Sequence, residues 1–270
     1  MVDKGLAGIL MQISVMSFVF PIMILIFWRI RTKKSIVPAF AGILVFTVFA
    51  RMLQAVPNVF FILSDNPISR FIRANDIVYA LYGGITAAII EETGRYLAYR
   101  YLLKKHNFKQ SAITYGLGHG GAECIIGVGI VNIQYYMYAQ LINSNKVSEA
   151  LASYSGDKNM IASFNSLIDE IKGMTIADCI LDAANGILFY VIQIMLSIII
   201  FQAFRKEAAR KRLFLYAIAI HTAAYLPNGL YQAGMINHIV AALLLLVIFA
   251  VALRLGMLLY RSMSERADGK

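Results

Sequence analysis

The sequence predicts an all-α protein, a polytopic bundle of about seven transmembrane helices. Three observations predict this class. Of the 270 residues, 59% are hydrophobic and only 15% are charged, and the mean hydropathy is +0.67, which exceeds what a soluble domain of this length shows. The apolar residues form long stretches, and the basic residues cluster between those stretches. We therefore expect much of the apolar surface to face lipid.

Seven stretches of the sequence are long enough to cross a bilayer, which takes roughly 20 apolar residues. They cover residues 9–28, 36–55, 77–101, 112–135, 177–204, 213–230 and 236–260. The first stretch lacks the small-residue cleavage pattern of a signal peptide, so we expect it to be retained as a helix. No internal repeat or soluble second domain is evident, and residues 1–270 are interpreted as a single integral membrane domain.

The basic residues predict the orientation of the chain in a cell membrane. They concentrate in alternate connections: Arg29, Arg31, Lys33 and Lys34; Arg100, Lys104, Lys105 and Lys109; Arg205, Lys206, Arg210, Lys211 and Arg212; and the tail residues Arg261, Arg266 and Lys270. Because basic loops stay in the cytoplasm, we expect the amino terminus outside and the carboxyl terminus inside, in a bacterial cytoplasmic membrane. This distribution also accounts for the net charge of +10 without a nucleic-acid partner.

The longest outer connection is expected at residues 136–175. Its beginning is rich in tyrosine, at Tyr135, Tyr136 and Tyr138, and the segment then becomes polar. Tyrosine rings suit the headgroup layer of a membrane, so an interfacial helix or a lid is the interpretation for this segment.

The third stretch carries charge where a membrane helix should carry none. Glu91, Glu92 and Arg95 lie within about one turn of an otherwise apolar helix. An unpaired charge at membrane depth costs several kcal/mol, so ionisable groups there are functional candidates. Arg95 is three or four residues from each carboxylate and can pair with either. An interhelical ion-pair lock is the structural alternative.

Two later stretches add imidazoles at the same depth. His119 and Glu123 lie four residues apart in the glycine-rich fourth stretch, where Gly116, Gly118, Gly120 and Gly121 allow close helix packing. His221 lies in the sixth stretch. At 1.5 Å per residue, Glu91, His119 and His221 each lie roughly 13 to 15 Å from the basic end of their helix. A common depth predicts one polar cavity between these helices.

At these residues the chain resembles the YhfC family, a branch of the superfamily of CAAX proteases and bacteriocin-processing enzymes. The mark of the family is a paired-glutamate and arginine motif, followed by intramembrane histidines on later helices. Residues 91–95 and 118–123 resemble its first two motifs. The resemblance implies a glutamic-type intramembrane peptidase in which Glu91 or Glu92 activates water. It also implies that Arg95 orients the glutamate pair and that His119 and His221 complete the site, with Glu123 in support.

The sequence departs from the family pattern at one position. Where the family has an intramembrane histidine ahead of a Leu-Ser step, this chain has Gln193 ahead of Leu196 and Ser197. A glutamine side chain donates a hydrogen bond, but it neither shuttles a proton nor ligates a metal well. This departure leaves open a non-catalytic scaffold or immunity protein with a degenerate site.

The expected activity is hydrolysis of a peptide bond in a membrane-embedded or membrane-proximal segment, without a cofactor. Such a site needs an activated water and a donor for the oxyanion, and the glutamates and histidines supply both. A zinc-dependent version would use His119, Glu123, His221 and a carboxylate of the third stretch as ligands, with water in the open position. A proton-coupled transporter is a further alternative, since paired membrane carboxylates are equally typical of carriers. The expected partners are a peptide or transmembrane substrate and the lipid bilayer; the sequence leaves the oligomeric state open.

Overall fold

The computed structural model describes residues 1–152 and 157–264, and within these ranges the chain is helical and contains no strand. The basic tail residues Arg266 and Lys270 lie outside the described residues. The helices are α1 Lys4–Thr32, α2 Val37–Leu63, α3 Pro67–Arg73, α4 Asp76–Leu97, α5 Lys109–Asn143, α6 Val147–Ala152, α7 Lys158–Gly173, α8 Ile176–Arg205, α9 Arg210–Gln232 and α10 His238–Arg261. The predicted all-α class is confirmed.

Six helices are long and apolar enough to cross a membrane: α1, α2, α5, α8, α10, and α9 together with the short turn before it (Glu207–Gln232). The chain is therefore a multi-pass membrane protein. The seventh predicted stretch, 77–101, is also helical, and its main part α4 has 22 residues. The acidic pair and Arg95 lower its hydropathy, so α4 is not one of the six. That α4 spans the membrane, and that the amino terminus lies outside, remain predictions.

The structure moves one predicted boundary. Helix α5 does not end near residue 135 but continues to Asn143, since no glycine or proline interrupts residues 131–143. It ends where Asn145 adopts a left-handed conformation with φ of 58°. The three tyrosines assigned to the start of the outer connection are therefore helical. The rest of that connection contains α6 and the longer α7 on either side of residues 153–156, which are not described.

The described chain forms two compact units. The first comprises residues 1–20 and 124–184, and the second comprises residues 21–123 with the described part of 185–270. In the first unit, the apolar side chains Phe164, Ile168 and Ile171 of α7 pack in one cluster with Leu6 and Leu10 of α1. That α7 lies at the membrane surface remains a prediction. All the predicted site residues lie in the second unit.

Small residues bring the helices of the second unit close together. A side chain on Gly118 of α5 would collide with the backbone of Ala39 in α2, and one on Gly84 of α4 would lie 3.0 Å from the Thr222 carbonyl oxygen of α9. The predicted close packing around the glycines of α5 is confirmed. Because these positions lack bulk, α5 packs closely on α2, and α4 packs closely on α9.

Candidate active site

Four helices of the second unit bring the predicted site residues together. Helix α4 supplies Glu91, Glu92 and Arg95, α5 supplies His119 and Glu123, α8 supplies Gln193 and α9 supplies His221. Glu91 is 2% exposed. Five more of these residues are 0% exposed: Glu92, Arg95, His119, Gln193 and His221. Buried polar groups are normally hydrogen-bonded, so side chains this deeply buried are expected to contact one another.

Glu92 is the centre of the first set of contacts. Arg95 donates from Nη1 to both carboxylate oxygens, at 3.1 and 3.2 Å. His221 Nδ1 lies 2.7 Å from Glu92 Oε1. A carboxylate only accepts, so this ring nitrogen carries the hydrogen and donates it. The other nitrogen, His221 Nε2, has no hydrogen-bond partner among the described residues.

Glu91 forms the second set. His119 Nε2 lies 3.0 Å from Glu91 Oε2, and His221 Nε2 lies 3.9 Å from the same oxygen. Glu91 is thus hydrogen-bonded to one imidazole and close to a second. The His119 ring is held by the edge of Phe46, with ring centres 5.4 Å apart, and by the stacked ring of Tyr115, at 6.0 Å.

Sequence reasoning missed the two residues that support His119. Tyr115 precedes His119 by four residues on α5, and this spacing could have identified it as a ring neighbour. Phe46 comes from α2, and nothing in its local sequence indicates a contact with His119. Their rings restrict the imidazole to an orientation that directs Nε2 at Glu91.

Glu91, Glu92, Arg95, His119 and His221 together form a charged cluster. Gln193 also contacts this cluster. Its Oε1 accepts from Arg95 Nη2 at 2.5 Å. The guanidinium therefore bridges Glu92 on its own helix and Gln193 on α8. A side chain on Gly120 would lie 3.1 Å from Gln193 Cβ, so this α5 glycine makes room for the glutamine. Gln193, where a departure from the family pattern was expected, is thus part of the cluster.

Glu123 lies in a neighbouring contact rather than within the cluster. Tyr225 donates its hydroxyl to Glu123 Oε1 at 2.9 Å, and its ring lies 5.4 Å from the His221 ring. Tyr225 follows His221 by four residues, as Glu123 follows His119. Both α5 and α9 therefore place a second polar group one turn beyond the imidazole. Sequence reasoning noticed this spacing for Glu123 and did not assign Tyr225 to the site.

The zinc alternative requires three donors on one ion, and the described residues do not fit this requirement. No group of three or more His, Cys, Asp or Glu side chains in the described ranges is arranged to hold a metal. Of the three side chains named as ligands, His119 bonds to Glu91, His221 bonds to Glu92 through Nδ1, and Glu123 accepts from Tyr225. Each of the three also has one ring nitrogen or carboxylate oxygen without a hydrogen-bond partner among the described residues. The buried Arg95 charge beside Glu92 would also repel a cation.

Comparison with known proteins identifies the family. Residues 16–246 match the family described as YhfC intramembrane metalloprotease. A protein of Bacillus subtilis strain 168, named "Uncharacterized membrane protein YhfC", is 29% identical over 250 residues, which cover 93% of this chain and 94% of that protein. No solved structure matches the chain. Because the match extends over most of the sequence, the chain belongs to the YhfC intramembrane metalloprotease family.

Proposed function

We propose that this protein hydrolyses a peptide bond in a membrane-embedded or membrane-proximal segment, with Glu91 as the base that activates water. The observation that carries the proposal is the contrast between the two adjacent glutamates. Glu92 accepts hydrogen bonds from Arg95 and His221, whereas Glu91 lies against the imidazoles of His119 and His221. The family description, which names intramembrane proteolysis, supports the same class of reaction.

The contacts of Glu92 favour a positioning role for it. Both of its oxygens accept from Arg95, and one also accepts from His221. A proton on Glu92 would break these contacts and leave the buried guanidinium without its counter-charge. Glu91 can take up a proton at a smaller cost, because no guanidinium hydrogen bond depends on its charge. Glu91 therefore removes the proton from water, and Glu92 holds Arg95 and His221 in place.

The histidines complete the proton path. His119 donates to Glu91 Oε2 and orients that carboxylate. His221 is fixed through Nδ1 by Glu92, in the way that a carboxylate orients a catalytic imidazole. Its Nε2 lies 3.9 Å from Glu91 Oε2. During hydrolysis the water proton passes to Glu91 and the hydroxide oxygen bonds to the carbonyl carbon. The carbon–nitrogen bond then breaks, and the proton reaches the leaving nitrogen from Glu91 directly or through His221 Nε2.

The metal named in the family description enters no step of this mechanism, because the donors do not fit it as they are arranged. The zinc-dependent alternative is tested directly by the metal content of the purified protein. We expect less than stoichiometric zinc and cleavage that survives a chelator. One bound zinc per chain, together with loss of cleavage on chelation and recovery on adding zinc, would replace the metal-free mechanism.

The experiment that tests the function is cleavage of transmembrane peptides in vesicles. The purified protein is reconstituted with a panel of single-spanning fluorogenic peptides of about 20 apolar residues, beside Glu91→Gln and a Tyr216→Phe control. Tyr216 is exposed on α9 and is not part of the cluster. We expect wild type and Tyr216→Phe to cleave one or more peptides and Glu91→Gln to cleave none.

The same samples distinguish the rival functions. A scaffold would bind peptides without cleaving them, and Glu91→Gln would bind equally well. A transporter would give proton-dependent flux in the same vesicles with no cleaved product. Either result would contradict the proposed peptidase.

A further inference from the structure

A buried hydrogen-bond donor of the cluster has no partner. Gln193 is 0% exposed, and its amide nitrogen Nε2 makes no hydrogen bond within the part of the chain that the structure describes. The proposed proton path does not use this atom. An unsatisfied buried donor costs folding free energy, so each such group in a protein calls for an explanation.

The orientation of this amide is determined by its neighbour. The guanidinium of Arg95 has only N–H donors, so the Gln193 atom that faces it must be the oxygen. Rotating the amide by half a turn would set N–H against N–H inside the buried cluster. Arg95 is itself held by Glu92. The chain Glu92–Arg95–Gln193 therefore fixes the Nε2 donor before any substrate arrives.

The amide is joined to groups that are proposed to act in the reaction. Gln193 Oε1 accepts from Arg95, which bonds to Glu92. A side chain built on Gly120, the residue after His119, would lie 3.1 Å from Gln193 Cβ, and His119 bonds to Glu91. Gln193 thus packs against α5 one residue beyond His119 and holds the guanidinium that pairs with Glu92.

We propose that Gln193 Nε2 donates a hydrogen bond to the oxyanion that forms on the substrate carbonyl, with Arg95 as the residue that positions the amide. This inference rests on the proposed peptidase function. When the hydroxide oxygen bonds to the carbonyl carbon, the electron pair of the C=O π bond moves to oxygen, and Gln193 stabilises that charge without giving up its proton. The pair returns as the carbon–nitrogen bond breaks. A preorganised amide donor in a site shielded from water suits this role.

The proposal explains why a glutamine can stand where the family pattern has a histidine. A neutral imidazole accepts with one nitrogen and donates with the other. A glutamine likewise accepts through Oε1 and donates through Nε2. The two side chains can therefore perform the same two tasks, which are holding Arg95 and donating to the oxyanion. A glutamate would perform only the first.

A pair of substitutions separates these tasks. Gln193→Glu keeps an oxygen for Arg95 and removes the donor, whereas Gln193→His keeps both. With the peptide that wild type cleaves fastest, we expect Gln193→Glu to lower kcat about 10²- to 10³-fold with little change in KM. We expect Gln193→His to remain within about tenfold of wild type, since the donor is retained. Thermal unfolding of each variant in detergent checks that it is folded.

The outcomes distinguish this inference from the proposed function. If Gln193→Glu is folded and cleaves at the wild-type rate, the amide is only an anchor for Arg95 and the inference is overturned. A folded but inactive Gln193→His overturns it as well. If Gln193→Glu does not fold, Gln193→Met takes its place, with the same expected fall in kcat. If wild type cleaves no peptide, the proposed function fails and this inference fails with it.

Discussion

The adjacent glutamates should respond in opposite ways to the same substitution. In Glu91→Gln, the new amide oxygen can still accept from His119, so the free energy of unfolding should change by no more than about 1 kcal/mol. The amide cannot take a proton from water, and kcat should fall by about 10²- to 10⁴-fold. Glu92→Gln removes the counter-charge of a fully buried guanidinium and, with the amide oxygen facing His221, sets the new amide N–H against Arg95 Nη1. Breaking such a buried pair costs about 3–5 kcal/mol.

Thermal unfolding in detergent and peptide cleavage in vesicles measure both effects on the same samples. Glu91→Gln should be stable and inactive, while Glu92→Gln should unfold at a markedly lower temperature. A double variant, Glu92→Gln with Arg95→Gln, removes the unpaired charge and should be more stable than Glu92→Gln alone. The reasoning is refuted if Glu92→Gln is as stable as wild type, or if Glu91→Gln cleaves at the wild-type rate.

Two further substitutions test the packing around the site. Gly118→Ala should lower the free energy of unfolding by about 1–3 kcal/mol or more, because the added methyl collides with the backbone of Ala39. The control is Gly127→Ala on the same helix, where nothing lies within 4 Å of the added methyl. Equal stability of the two variants would contradict this packing. Tyr225→Phe should lower the free energy of unfolding by about 1–3 kcal/mol, because Glu123 loses the hydroxyl that donates to it. Thermal unfolding measures this change, and an unchanged midpoint would show that this hydrogen bond does not contribute to stability.

Helix geometry explains what could be predicted from the sequence. The rise per residue of a helix is nearly constant, so counting from the basic boundaries predicted that Glu91, His119 and His221 lie at one depth. The structure places His119 against Glu91 and His221 against Glu92. Charges in apolar helices and glycines at helix contacts are strong signals, because each is costly unless the fold uses it.

The remaining features depend on information that local sequence does not carry. Which carboxylate pairs with which imidazole depends on the rotation of α9 and on side-chain rotamers. The second partner of Arg95 was not predicted, because Gln193 is uncharged and lies in an apolar helix whose face towards α4 is set by tertiary packing. The end of α5 was placed too early, since the tyrosines there suit a membrane surface whether or not the helix continues.

The charge balance of the cluster gives a reason for its composition. Two carboxylates, Glu91 and Glu92, face one guanidinium, Arg95, so the ionised trio carries one surplus negative charge in a buried site. A charge in such surroundings is costly to create, because little solvent is present to stabilise it. In the proposed mechanism, Glu91 takes the proton of water as the hydroxide oxygen attacks, so that charge is not created anew; it moves from Glu91 to the substrate oxyanion. The free energy needed to bury this negative charge is spent when the protein folds. The reaction then needs only a hydrogen-bond donor near the substrate oxyanion. A site with one carboxylate and one guanidinium would lack the surplus charge, and the attack would then have to separate charge inside the membrane. Glu92 therefore balances the charge of Arg95, which leaves the charge of Glu91 available for its proposed role as the base.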